Sequence, residues 1–520
     1  VLAGGIFTGN NTTPAVLSGS ARWTGGAFAG TWQVAGAQVL LAQDGTAKDF
    51  SGALFTNQGT VTWQSGERAG FVSSAVTNAG LWDMQADANL SYVGGSASSF
   101  VNQGTFRKSA GGGSTVIGSN IAFTNAGTID AQAGSIDFAG GSASFQPGTQ
   151  FTGAGVVRIS NNAAFVGAFT SANLRLDNGT YAGDNTTPAV LQGSVAWTGG
   201  QFAGTWQVAP GQTLVAVDGS DNKNFSGTVF TNAGTVIWES TQRAGFVSSA
   251  VTNAALWDLR ADANLSYVGG SASSFVNEGT LRKSAGSGSA VVGGSVVFTN
   301  TGTIDAQSGT IDFAGGSAQF QAGSQFTGAG VVRISNNAGF IGAFTSANLR
   351  LDGGNYAGDN TTPALMQGAV AWAGGQFSGT WQVASGQRLT AVDGAAKNFS
   401  GTNFTNAGTL RWESDQNAGF VSSAFTNAGV FDLRTDADIA FAGGGASSFV
   451  NSGVLRKSAG SGTSAITSNI AFSNPGTVNV LSGTLQLAGN LANPGIVRGT
   501  ATLQTPQLAN DGPKAALNPV

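Results

Sequence analysis

The amino-acid sequence predicts an all-β fold: an elongated, right-handed parallel β-helix, or β-solenoid, with coils of about 21–28 residues. Two nested internal repeats, strand-like alternation inside the shorter one, and the lack of any apolar stripe of helical period carry that expectation.

The long repeat is about 175 residues. NNTTPAVL at Asn10 returns as DNTTPAVL at Asp184 and DNTTPALM at Asp359, and WTGGAFAGTWQV at Trp23 returns at Trp197 and Trp372. Three copies of one continuous solenoid are expected, over residues 1–175, 176–350 and 351–489, with divergent coils or a tail over 490–520. The copies differ by one residue where DGTAKDF at Asp44 becomes DGSDNKNF at Asp218 and DGAAKNF at Asp393, which marks a surface loop.

The short repeat is an apolar-x-Asn-x-Gly phrase, first met as FTNQG at Phe55, VTNAG at Val76, FVNQG at Phe100 and FTNAG at Phe123. Its asparagines are Asn57, Asn78, Asn102 and Asn125, then Asn232, Asn253, Asn277 and Asn300, then Asn406, Asn427, Asn451 and Asn474. Each phrase runs into alternating residues such as GTVTW from Gly59 and GTIDA from Gly127, the pattern of a strand with one buried face. Stacking such coils predicts an interior ladder of Phe55, Val76, Phe100 and Phe123 beside structural Asn ladders, with the Gly after each Asn allowing a tight turn.

Composition narrows the function. Gly supplies 81 of 520 residues and charged residues only 9%, yet 41% of the chain is hydrophobic, enough apolar surface to fold. A net charge of −4 offers no basic stripe for nucleic acid, and no apolar run is long enough to span a membrane. Without His or Cys, the usual neutral-pH acid–base group, thiol chemistry and most zinc sites are missing. The chain opens at Val1 without a signal sequence and reads as a mature or excised piece.

Phrases such as FTNAGTIDAQAGSIDFAGG from Phe123, FVNEGTLRKSAGSGSAVV from Phe275 and FSNPGTVNVLSGTLQLAGN from Phe472 resemble the β-strand repeats of large bacterial surface proteins, in the company of filamentous-haemagglutinin-like and autotransporter-passenger β-helices. The resemblance covers nearly the whole chain. It implies a secreted or cell-surface structural or adhesive solenoid, part of a long adhesin or the repeating unit of an extracellular fibre or matrix.

The competing reading is a carbohydrate-active β-helix, either a polysaccharide lyase or a sugar-binding module. Its acidic candidates, Asp83, Asp130, Asp137, Asp258, Asp305, Asp312 and Asp432, recur with the structural period, whereas a catalytic constellation is normally one of a kind. No catalytic residue, cofactor or metal is therefore expected, and the DG pairs at Asp44, Asp218 and Asp393 read as turns. Expected partners are the chain itself, end to end or side by side, and surface glycans. Aromatic rows bind sugars, so Trp23, Trp197 and Trp372 are retained as sugar-contacting candidates, although Phe431 in the place of Trp82 and Trp257 favours packing.

Reading five residues beyond each Asn gives a cross-coil charge column: Asp83, Arg107 and Asp130; Asp258, Arg282 and Asp305; Arg411, Asp432 and Arg456. Alternation places it on the solvent side, with opposite charges on neighbouring coils.

Overall fold

A computed structural model describes residues 1–219, 221–489, 491–492, 495–505 and 508–509. The divergent segment from Asn490 therefore lies partly outside the described residues. The fold is an all-β parallel solenoid of about 24 turns, and the described residues contain no α-helix. The chain forms two units, Val1–Trp257 with Val268–Ser271, and Asp258–Tyr267 with Ala272 onward. Each contains part of the second copy.

In the first unit a coil carries three strands, and each pairs in parallel with the equivalent strand of the next coil. Ala75–Asn78 lies between Leu54–Asn57 of the long strand Lys48–Asn57 and the strand Ser98–Asn102. On the second face Thr60–Trp63 pairs with Leu81–Met84, and that strand with Thr105–Lys108. On the third face Ala69–Val72 pairs with Leu90–Gly94. Alternation sorts the side chains, as in Thr60–Trp63, where Val61 and Trp63 point inward and the threonines outward.

Phe55, Val76, Phe100 and Phe123 stack in this interior, and the Phe100 and Phe123 rings lie 5.2 Å apart and within 4° of parallel. Offset stacking of this kind adds roughly 0.5–1.5 kcal/mol to the burial itself.

Coil length varies more than the phrase spacing suggests. Leu90 pairs with Ile117, 27 residues on, but Ala163 pairs with Tyr181, 18 residues on, so the lower bound of 21 is too high. The short coils fall where the Asn-Gly phrase is missing and strands run straight through a corner, as Ala168–Leu176 does across a bulge between Ser171 and Leu174.

The long repeat does not fill a whole number of turns. Following the second face of the first unit from Thr128–Ala131 leads through Gln150–Thr152, Ala168–Leu176, Ala189–Trp197 and Gly200–Val208 to Val229–Asn232. The Asn strand of the second copy thus stacks on the face that held the charge column in the first. The second unit repeats the step: Thr280–Lys283 leads through Thr303–Ala306, Gln325–Thr327, Ala343–Leu351, Ala364–Trp372 and Gly375–Val383 to Asn403–Asn406. In both units the later copy begins one face further round.

Candidate functional site

The Asn side chains lie fully inside the corners. Asn57 donates its amide to the side-chain oxygen of Asn78 at 2.7 Å, Asn78 to Asn102 at 2.7 Å, and Asn102 to Asn125 at 2.6 Å. The second amide hydrogen meets a backbone carbonyl, as from Asn57 to Leu81 at 2.9 Å. Asn232 donates to Asn253 and Asn277 to Asn300, each at 2.7 Å. Asn406, Asn427, Asn451 and Asn474 form a series of the same length as the first, at 2.7, 2.7 and 2.6 Å.

Hydroxyls absent from the sequence phrase close two of these ladders. Thr149 accepts from Asn125 at 3.1 Å, and Ser324 accepts from Asn300 at 3.0 Å.

The glycines two residues beyond the asparagines serve close approach rather than a special turn. Gly80, Gly104 and Gly127 do not have positive φ, but a Cβ on each would collide with the carbonyl of the glycine one coil back. The ladder of small residues lets the coils meet there.

The charge column is only partly a solvent-facing ladder. Arg107 pairs with Asp130 at 2.9 Å, Arg282 with Asp305 at 3.0 Å, and Arg456 grips Asp432 through two bonds of 3.0 and 2.7 Å. The aspartates are largely covered, Asp432 being 2% exposed, because arginines that are about one-third exposed lie over them. Asp83 instead accepts from Gln85 at 2.9 Å, Asp258 pairs with Arg260 at 3.1 Å, and Arg411 turns to Glu413 at 3.5 Å. Burial raises the Asp432 carboxyl, but the bonds from Arg456 and Ser458 outweigh it and hold the group below its ordinary value.

Trp23, Trp197 and Trp372 are each 0% exposed and offer no surface to a sugar. Their indole N–H groups donate to the carbonyls of Gly25, Gly199 and Gly374 at 3.1, 2.9 and 2.9 Å. Trp23 lies edge-on to Phe28 at 4.6 Å, as befits a core residue.

Sequence reasoning missed two sets of ionic groups. Lys48, Lys108, Lys223, Lys283, Lys397 and Lys457 are all 0% exposed. Lys108, Lys283 and Lys457 reach Asp87, Asp262 and Asp436 at 2.6, 2.6 and 2.8 Å, while Lys48, Lys223 and Lys397 end on Ser65, Ser240 and Ser414 at 3.2, 3.3 and 3.1 Å. The second set joins Arg158 to Asp177 at 2.8 Å and Arg333 to Asp312 at 2.6 Å. The recurring VVRIS, NLRLD and IDF phrases were its signal.

The candidate binding surface lies in the second unit, around a bulge in Ala343–Leu351. Ser346 pairs with Gly368 but Leu349 with Val370, so Ala347 and Asn348 are pushed out of register. Asn348 pins the bulge by donating to the Thr327 and Gly330 carbonyls at 2.7 and 2.9 Å, and Gln387 accepts from Gly368 N at 2.7 Å. An uncharged groove of about 560 Å³ opens beside it, lined in part by Thr345, Ala347, Gln367 and Ser385. A second groove of about 330 Å³ shares Ala347 and is flanked by Arg350 and Arg388. The first is suited to hydroxyl-rich ligands and the second to an anion.

In comparisons with protein-family models, curated proteins and solved structures, the chain has no match.

Proposed function

We propose that the chain is a structural or adhesive segment of an extracellular or cell-surface protein, whose solenoid serves as a scaffold. The observation that supports this most is that the same polar residues make the same coil-to-coil bonds in successive copies: Lys108, Lys283 and Lys457 each hold an aspartate, and Arg107 and Arg282 each hold the aspartate one coil on. Asp130, Asp305 and Asp432, three of the carboxylates weighed for acid–base chemistry, are thereby engaged in holding neighbouring coils in register. A scaffold gains from such redundancy, since its stability is approximately a sum of repeat and neighbour terms. Self-association, side by side or end to end, is the corresponding partner proposal.

Antibody labelling of intact cells of the source organism, followed by electron microscopy of the labelled material, tests this reading. Label on surface appendages or matrix supports it; label confined to the cell interior sinks it. Reproducible depolymerisation of a polysaccharide by the purified chain would instead favour an enzyme.

A further inference from the structure

The three positions at which the second and third copies differ between the Trp and the Asp of the WQVA segment all line the two grooves of the second unit. Trp206–Asp218 reads WQVAPGQTLVAVD and Trp381–Asp393 reads WQVASGQRLTAVD, so Ser385, Arg388 and Thr390 replace Pro210, Thr213 and Val215. Ser385 lines the uncharged groove; Arg388 and Thr390 line the charged one. The intervening interior residues Leu389 and Ala391 are unchanged from Leu214 and Ala216, so the core does not require the substitutions.

Register defines the shape of the charged groove. Leu349 pairs with Val370 and Val370 with Leu389, which places Arg350 and Arg388 two coils apart on opposite sides of that line. Two strand spacings are about 10 Å. Between them the floor is Ala369 and Ala371, too short to fill the gap. Arg350 bonds Asp352 through Nε, whereas Arg388 is exposed and has no ion pair among the described residues. Both guanidinium forks thus flank one depression, and Arg388 has no carboxylate of its own to neutralise it.

We propose that this paired groove binds an acidic oligosaccharide. The carboxylate of a uronic-acid residue is taken between Arg350 and Arg388, and the neighbouring sugar hydroxyls meet Thr345, Gln367 and Ser385. A planar carboxylate matches the planar guanidinium fork, and this geometric match distinguishes it from a general attraction for anions. The proposal rests on the reading of the chain as a surface scaffold and supplies that scaffold with a ligand class.

The test is affinity electrophoresis and calorimetry of the whole chain with polygalacturonate, its fully methyl-esterified form and dextran sulfate. The comparison variants are Arg388→Thr and the triple change Ser385→Pro, Arg388→Thr, Thr390→Val, which install residues the second copy already carries at the same structural positions. Expected are binding to polygalacturonate, little to the ester, and a loss of about tenfold or more in both variants with unchanged circular dichroism, the scale of a lost charge-assisted hydrogen bond. Three outcomes overturn the proposal: no binding, equal binding of the ester or dextran sulfate, or affinity unchanged by Arg388→Thr. None of them bears on cell-surface labelling, so failure of this site and failure of the scaffold reading are distinguishable.

Discussion

Asn78 and Asn102, 24 residues apart in sequence, are joined by a 2.7 Å hydrogen bond from the Asn78 side-chain amide to the Asn102 side-chain oxygen, in a corner that leaves neither residue any exposed surface. Asn102 passes the same bond on to Asn125 and also donates to the Thr128 carbonyl at 3.1 Å. Replacing Asn102 by Ala therefore removes an acceptor and a donor at once, leaving buried groups on both neighbours. A cost of about 1–3 kcal/mol is expected. Hydrogen exchange should quicken at the coils holding Asn78 and Asn125; unchanged protection there would refute the role of the ladder.

Gly104 tests close approach against backbone freedom. A methyl group there would strike the Gly80 carbonyl, and Gly104 does not have positive φ, whereas Gly52 has a φ of 63° and open space around its Cβ position. Gly104→Ala should cost about 1–3 kcal/mol by overpacking. Gly52→Ala should cost about 1 kcal/mol, because its penalty is conformational alone. Denaturation midpoints compare the two, and an equal or reversed order would show that contact between coils is not what selects glycine.

The ion pairs are unequal. Arg456 gives two bonds to an Asp432 that is 2% exposed and would keep only Ser458, at 2.6 Å, as a donor, whereas Asp130 keeps both Gln132 and Thr152 at 2.9 and 3.1 Å if Arg107 is lost. Both arginines are about one-third exposed, so solvent screening reduces what each pair contributes. Arg456→Ala should cost about 1–2 kcal/mol at neutral pH, and Arg107→Ala less than 1 kcal/mol. Because Asp432 is held below its ordinary value, its contribution is present above about pH 4 and is lost as acid protonates it in the fold. The Arg456→Ala penalty should shrink in that range. A penalty that persists undiminished at low pH would locate it in packing rather than in the ion pair.

The parts of this architecture visible in the sequence are those that recur in fixed register. Phe100 and Asn102 share a strand with a phrase that returns in four successive coils of each copy, so their columns could be drawn without coordinates. Arg107 and Lys108 show where that reading stopped short. The alternation that puts Arg107 outside puts Lys108 inside, in one column with Trp63, Met84 and Ala131. A lysine is expected at the surface on hydropathy grounds, and its enclosing partner Asp87 belongs to a loop outside the Asn-Gly phrase. Arg158 and Asp177 were hidden because their coils are short and carry no Asn-Gly phrase. The grooves depend on a bulge at Ala347–Asn348, which shifts register without an obvious mark in composition.

The buried amines also predict chemical behaviour. Each described lysine is 0% exposed, and Lys514 lies outside the described residues. Brief treatment of the native chain with an amine-reactive reagent should spare Lys48, Lys108, Lys223, Lys283, Lys397 and Lys457, and the same treatment in denaturant should modify all six. Peptide mass spectrometry reads the result. Rapid modification of Lys108 or Lys283 under native conditions would contradict their enclosure.

Lys223 gives that enclosure a pH signature. Burial pushes its amine down to about 8, against the opposing attraction of Asp218 and Asp221, and burial likewise lowers Lys48 and Lys397. An unfolded chain holds the Lys223 proton up to about pH 10.5. Between those values the unfolded state binds more protons than the folded one, so stability must rise with pH. Tyr181 and Tyr356 act in the other direction at higher pH: burial raises both, so above about pH 10 the unfolded chain loses phenol protons that the fold retains, and stability falls. A urea midpoint that climbs from pH 8 towards pH 10 and then declines is the expected profile. Lys223→Met, which keeps an apolar stem but cannot titrate, should flatten the climb without moving the decline. If the wild-type midpoint is flat or falls between pH 8 and 10, the buried amines are not held against their charged state, and the account of their corners as desolvating cages fails.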